Sequence, residues 1–149
     1  IAQENKDCFI FATDISIKSI LVAKQNAAKF CCENIIFLNH DWNNEWLFPQ
    51  VDYLISNPPY VDKEATSGKE EGIWHEPEIA LFSKDKGLSD LKLILSKGKN
   101  FLNENGKVYL EHAPDQYEEL NKFAMENGYL NFSNLNDLNG DKRVSIYQC

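Results

Sequence analysis

Residues 51–60 read Val51-Asp52-Tyr53-Leu54-Ile55-Ser56-Asn57-Pro58-Pro59-Tyr60. The apolar residues that open this stretch predict a strand. Two prolines cannot continue a central strand, because each lacks a backbone donor and has φ fixed, so the strand ends at Ser56 and the chain turns rigidly. The turn presents an amide and a phenol together. The side-chain oxygen of Asn57 and the carbonyl of Pro58 accept hydrogen bonds, and Tyr60 offers a flat face. That set suits a planar NH2 group whose hydrogens are held while its nitrogen attacks.

Working outward, residues 9–12 form a short apolar run ending at Asp14 and read as a buried strand. Ser16 then caps a helix whose apolar positions, Ile17, Ile20, Leu21, Ala23, Ala27, Ala28 and Phe30, recur at helical spacing. Residues 35–38 are a second strand, closing on Asn39-His40-Asp41-Trp42. After Tyr60 comes a polar stretch over 61–78 with Gly68 and Gly72, expected as a loop over the site. A helix is expected over 88–102, stopped by Asn105-Gly106, then a strand over 107–111. A helix over 115–126, ended by Asn127-Gly128, leads into a hairpin of strands over 130–135 and 143–147.

Strand and helix alternating with short links predicts an α/β fold: a mostly parallel sheet covered by helices on both faces, with one antiparallel edge strand. Ligands in such folds bind at the carboxyl ends of the strands. Asp14, Asp41 with Trp42, and the turn from Asn57 to Tyr60 each lie just past the end of an expected strand, so the fold should gather them along one edge of the sheet.

At 149 residues and 43% hydrophobic, the chain can build the core of one domain. A net charge of −8 argues against a nonspecific grip on nucleic acid, which relies on clustered Lys and Arg. Cys8, Cys31, Cys32 and Cys149 show no C-x-x-C spacing and read as reduced thiols. His40 beside Asp41 lacks a second ligand cluster, so no metal site is expected. No apolar run approaches the roughly 20 residues of a membrane helix, and no secretory signal opens the chain. A soluble, cytoplasmic protein is expected.

Asn57-Pro58-Pro59-Tyr60, followed by Glu76-Pro77-Glu78-Ile79-Ala80-Leu81, Gly87-Leu88, Glu111-His112 with Gln116, and Asp137 with Arg143-Val144, resembles the HemK/PrmC family of class I methyltransferases. The resemblance runs over essentially the whole chain and is more specific than the tetrapeptide, which is shared with DNA adenine and other amino-methyltransferases. It implies a Rossmann-like sheet with a C-terminal antiparallel hairpin and S-adenosylmethionine as cofactor. It also implies methylation of the glutamine side-chain amide in the Gly-Gly-Gln loop of peptide chain release factors, the protein partner.

Residue by residue, the resemblance implies that Asp14 accepts hydrogen bonds from the ribose hydroxyls; its alternative reading is a helix-start carboxylate beside the Ser16 cap. It places Asp41 and Trp42 along the adenine, with Asn57 also bordering the cofactor, and Trp42 reads alternatively as a half-buried core aromatic. Catalysis falls to Asn57, Pro58 and Tyr60, and substrate binding to Asn57, Pro58, Pro59, Tyr60, Glu76 and Pro77. Glu111-His112 is expected to support the sheet end, and Asp137 and Arg143 to pair across the hairpin.

There are departures. His40 stands where the family has Ser, and Ile73-Trp74-His75 where it has Arg before Glu-Pro. The family's glycine-rich loop follows its first strand, whereas the first glycine here is Gly68 and the chain opens without Met. Residues 1–149 are therefore expected to be a partial, N-terminally truncated catalytic domain lacking that strand and loop. The strand's place would be between those ending at Asp14 and Asn57, which predicts marginal stability and weak cofactor binding for this stretch alone. Two other functions compete: a nucleic-acid adenine methyltransferase that flips its base into the tetrapeptide, and an inactive remnant or binding domain.

Overall fold

The computed structural model describes residues 1–65 and 77–149, which divide into two compact units, Ile1–Phe48 and Pro49–Cys149.

In the first unit, β1 (Ile10–Asp14) and β2 (Ile35–Asn39) pair in parallel, with Asp14 opposite Asn39, and α1 (Ile17–Lys29) connects them. Ser16 caps α1 as expected: its backbone is extended and its hydroxyl accepts the N–H of Ser19 at 3.2 Å, a device contributing about 1 kcal/mol. The helix stops where Cys31 adopts a φ of 51° and the Cys32 N–H returns to the Ala27 carbonyl at 2.9 Å. Of the apolar stripe read from the sequence only Ile20 is buried; Ile17 and Leu21 stay 54% and 53% exposed. A two-stranded ladder is too narrow to cover the whole stripe. Phe9 and Phe11, before and within β1, pack ring against ring with His40, Trp46 and Phe48 from the segment past β2.

The second unit is built on a four-stranded mixed sheet in the order β3 (Val51–Ser56), β6 (Leu102–Glu111), β8 (Lys142–Gln148), β7 (Asn131–Asn136). β3 and β6 run parallel, while β8 is antiparallel to both β6 and β7, so the expected C-terminal hairpin is present and its second strand is the inner one. Between β3 and α3 (Ser89–Gly98), a two-residue strand β4 (Val61–Asp62) pairs with β5 (Phe82–Ser83), which directly follows the short α2 (Glu78–Leu81). The stretch read as a loop over 61–78 therefore carries paired backbone at its start. Its middle, 66–76, with Gly68, Gly72, His75 and Glu76, lies outside the described residues.

Leu91, Ile94 and Leu95 of α3 and Leu120 and Ala124 of α4 (Tyr117–Glu126) bury themselves with Val108, Leu110 and Tyr147 of the sheet. Each fully buried large apolar side chain contributes about 1.5–3 kcal/mol. The buried phenols stay satisfied: Tyr129 donates to the Leu95 carbonyl at 2.7 Å and Tyr147 to Asn121 Oδ1 at 3.0 Å.

In the four-stranded sheet, the described helices that pack on it lie on one face. α3 packs on β6 and on α4, and α4 packs on β8, so both occupy one face; on the other, Tyr53 and Ile55 are 61% and 56% exposed. A strand–helix–parallel strand crossover has one favoured hand, which sends α3 to a single side, and α4 packs beside it. One expectation needs correction: the helix expected over 88–102 ends at Gly98, and a 3-10 turn (Lys99–Phe101) leads straight into β6. Gly98 lies so close to β3 that a Cβ there would come within 2.6 Å of Leu54 Cδ2. Asn105-Gly106, read as a helix stop, sits instead in a bulge. The ladder pairs Val51 with Leu102 and then Tyr53 with Lys107, and Asn105 takes a φ of 65°.

Among the described residues, β1 pairs only with β2 and β3 only with β6, so no described strand joins the two ladders. Nor is any helix among them long and apolar enough to cross a membrane.

Candidate functional site

The first unit brings Asp14 and the 39–42 segment together at the carboxyl ends of β1 and β2. The Asp14 carbonyl accepts the His40 N–H at 3.0 Å and the Asn39 side-chain amide at 2.9 Å. The Asp14 carboxylate is half-buried, and its Oδ1 accepts the Ser16 N–H at 2.7 Å. It therefore does support the helix start, while a carboxylate keeps lone pairs for further donors through its second oxygen. Asp41 accepts both the N–H (2.9 Å) and the side-chain amide (2.8 Å) of Asn43 through Oδ1. Trp42 is half-buried, and its carbonyl accepts the indole N–H of the buried Trp46 at 3.0 Å.

The second unit builds the turn after β3. Ser56 is in register with Leu110, so Asn57 and Glu111 follow side by side as the two strands end. Asn57 is exposed, Pro58 and Pro59 are buried, and Tyr60 is half-buried. Tyr60 is held at both ends. Its phenol donates to Glu111 Oε1 at 3.0 Å, and its carbonyl accepts Gln116 Nε2 at 2.8 Å. Burial, followed by the neighbouring Glu111 carboxylate, pushes the phenol pKa above its ordinary value, so the group remains a donor at neutral pH. Gln116 is buried; its second Nε2 hydrogen goes to the Lys86 carbonyl at 3.0 Å, and its Oε1 accepts the Ala113 N–H at 2.9 Å.

This junction depends on Gly87, the last of three consecutive residues in left-handed backbone, Asp85, Lys86 and Gly87 with φ of 54°, 54° and 83°. A Cβ on Gly87 would lie 2.0 Å from the Tyr60 carbonyl oxygen and 2.5 Å from Gln116 Nε2. Only a residue without a side chain allows that approach.

His112 is a support, as expected. It is fully buried, with Nδ1 2.7 Å from the Ala113 carbonyl and Nε2 2.8 Å from Ser145 Oγ. A carbonyl only accepts, so the proton sits on Nδ1 and the Ser145 hydroxyl donates to Nε2. Burial holds the His112 pKa below the ordinary 6.5. In the unfolded chain the imidazole takes up a proton near that value, so stability is full above it and declines as pH falls below it. The melting temperature is expected to drop between pH 7.5 and 5.5, and that dependence should flatten in His112→Gln; calorimetry across this range checks it. Arg143 pairs with Asp137 across the hairpin at 3.3 Å and also reaches the His112 carbonyl at 3.5 Å. The N–H groups of Asp141 and Asn139, together with Arg143, hold the Asp137 carboxyl below its usual range.

Of the other residues singled out by the resemblance, Pro77 is exposed at the start of α2, beside the ion pair between Lys63 and Glu78 at 2.7 Å. Glu76 lies outside the described residues. Sequence reasoning gave Gln116 no role. Its available signal was a glutamine placed to cap a turn opened by Ala113-Pro114, but the partners of its nitrogen are 56 and 30 residues away in the chain.

No protein-family model matches the chain. A release factor glutamine methyltransferase from Francisella tularensis is 32% identical over 148 residues, covering 99% of this chain and 52% of that protein. A bifunctional methyltransferase from Rickettsia felis is 36% identical over 140 residues, 93% of this chain and 27% of that protein. Among solved structures, a methyltransferase from Pyrococcus furiosus superposes with a TM-score of 0.70 at 18% identity, covering 99% of this chain and 66% of that one. A coclaurine N-methyltransferase solved with SAH bound has a TM-score of 0.52 at 14% identity, covering 75% and 26%. These structural likenesses establish the fold, that of the class I methyltransferases. The chain spans about half the length of the release factor enzymes it matches, and the matched half is C-terminal. Over nearly its whole length the chain is therefore similar to the C-terminal portion of the release factor glutamine methyltransferases of the HemK/PrmC family.

Proposed function

We propose that these residues form part of a cytoplasmic catalytic domain that transfers a methyl group from S-adenosylmethionine to the side-chain amide nitrogen of the glutamine in the Gly-Gly-Gln loop of release factors. The observation that carries the proposal is the exposed Asn57 on a turn whose two prolines are buried and whose Tyr60 is fixed at both ends. The Asn57 side-chain oxygen and the Pro58 carbonyl would accept the two amide hydrogens, turning the nitrogen lone pair toward the methyl carbon. Tyr60 would pack the flat amide. S-adenosylmethionine supplies an electrophilic methyl group on a sulfonium. Positioning alone can provide roughly 7–11 kcal/mol of the barrier, and the oxygen acceptors stabilise the positive charge that grows on nitrogen. Once the nitrogen–carbon bond has formed, the amide proton leaves to water, so this reading assigns no side chain as catalytic base.

The residues present suit the nucleoside end of the cofactor. Asp14 and Asp41 provide acceptors at adjacent strand ends for the ribose hydroxyls and the adenine amino group, with the Trp42 indole beside them. The methionine end would require close-approaching backbone amides of the glycine-rich kind, which the segment before Asp14 lacks.

The test is label transfer from methyl-tritiated S-adenosylmethionine. The 149 residues should be assayed alone and joined to the N-terminal portion of the Francisella tularensis relative. Label is expected in a release factor and not in duplex DNA, and it should disappear when the Gly-Gly-Gln glutamine is replaced. Label in DNA adenine instead, or in neither acceptor with either form, overturns the proposal.

A further inference from the structure

Gln116 is the last residue of a short 3-10 turn (Pro114–Gln116), and its side chain does more than cap that turn. Capping that turn uses only Oε1, which accepts the Ala113 N–H. Both hydrogens of Nε2 leave the turn and go to two carbonyls on separate segments, Tyr60 at the end of the tetrapeptide and Lys86 in the left-handed turn before Gly87. The hydrogen-bonding capacity of the NH2 group is thereby filled, and the three contacts fix which end of the amide is nitrogen. Glu111, at the end of the same strand that leads to Gln116, takes the phenol of Tyr60. The tetrapeptide thus enters from β3, with Pro58 and Pro59 buried, and leaves through a residue tied to β6 and to the turn before α3.

We propose that Gln116 is a positioning residue for methyl transfer: by joining the carbonyls of Tyr60 and Lys86 to the amide of Ala113, it sets the height and tilt at which Asn57 and the Pro58 carbonyl meet the acceptor amide. The inference rests on the proposed function for its chemistry and on the geometry alone for the clamp. Gln116 touches no reacting group; it acts through the backbone of Tyr60. A shift of about 1 Å at a reacting group can slow a reaction by about 10^2-fold, so a turn released at one end loses rate before it loses affinity.

Two variants test this. Gln116→Met fills the same space without donors. Gln116→Glu keeps the acceptor for Ala113 but faces two carbonyls with an oxygen, and regains a single O–H donor once its buried carboxyl is protonated. Both are expected to lower kcat by about 10–100-fold with little change in KM for the release factor. Measured as a ratio to wild type at each pH, the rate of Gln116→Glu should recover as pH falls. Independently of activity, nuclear magnetic resonance on the 149-residue chain should show the Asn57 side-chain amide and the Tyr60 ring signals displaced in both variants. In Gln116→Glu they should move back toward their wild-type positions at low pH.

Wild-type kcat in both variants overturns the inference. So does a lowered melting temperature with kcat falling only in proportion to the folded fraction, since that marks a merely structural residue. If wild type itself transfers no label to a release factor, the proposed function fails, and unmoved Asn57 and Tyr60 signals would then also overturn the clamp.

Discussion

Under the proposed function, Asn57→Ala is expected to slow methyl transfer to the release-factor glutamine by about 10^2–10^3-fold, with the melting temperature moving by no more than about 3 °C. The two halves of this expectation have separate grounds. The side chain is exposed at the tip of a turn whose rigidity comes from Pro58, Pro59 and the tie at Tyr60, so its loss leaves the scaffold in place. What disappears is one of the two acceptors proposed to orient the amide, together with its share of stabilising the growing charge on nitrogen. Single-turnover rates with saturating S-adenosylmethionine separate this from weakened binding. Asn57→Asp makes a useful companion, because it retains an oxygen acceptor but adds a charge. Wild-type rates in Asn57→Ala would remove the amide grip from the mechanism.

Gly87→Ala is expected to destabilise the second unit by about 2–5 kcal/mol, the combined effect of forcing an alanine into left-handed backbone and driving a methyl into occupied space. The occupied space is the Tyr60 carbonyl, backbone at 2.0 Å from where the new carbon would sit, and Gln116 Nε2 at 2.5 Å, a side-chain end held by two carbonyls. Gly140→Ala provides the comparison. Its φ of 90° is equally left-handed, but nothing lies within 4 Å, so it should lose only the backbone contribution of about 1 kcal/mol. Urea denaturation followed by circular dichroism measures both. Equal losses in the two variants would show that the contact with the tetrapeptide is loose.

The parts of this fold that could be read from the sequence are those set by local chemistry. Two prolines after an apolar run end β3 whatever surrounds them, Ser16 caps α1 through its own hydroxyl, and Asn127-Gly128 closes α4 with Gly128 at a φ of 78°. Reading failed where distant packing decides. Leu102 continues the helical spacing of α3, yet Gly98 must lie against Leu54, so the helix ends early and Leu102 becomes the first residue of β6. Asn105-Gly106 favours left-handed backbone equally well after a helix and in a bulge, and no local feature chooses between them.

The candidate site divides along the same line. Asn57, Pro58 and Tyr60 announce themselves as a motif, and Asp14 and Asp41 as strand-end carboxylates. The clamp of Gln116 and Glu111 on Tyr60 joins residues 56 and 51 positions apart, which no spacing rule on one chain reveals.

A tyrosine tied at both its phenol and its carbonyl has given up rotational freedom when the chain folds, not when an acceptor arrives. Under the proposed function, the incoming loop would then meet a surface already in its working shape, and the ordering penalty of the encounter would fall mainly on the visitor. Capture of such a loop would be governed by how often it presents the right conformer, so stiffening the release factor's own loop should quicken association more than any loosening of the enzyme.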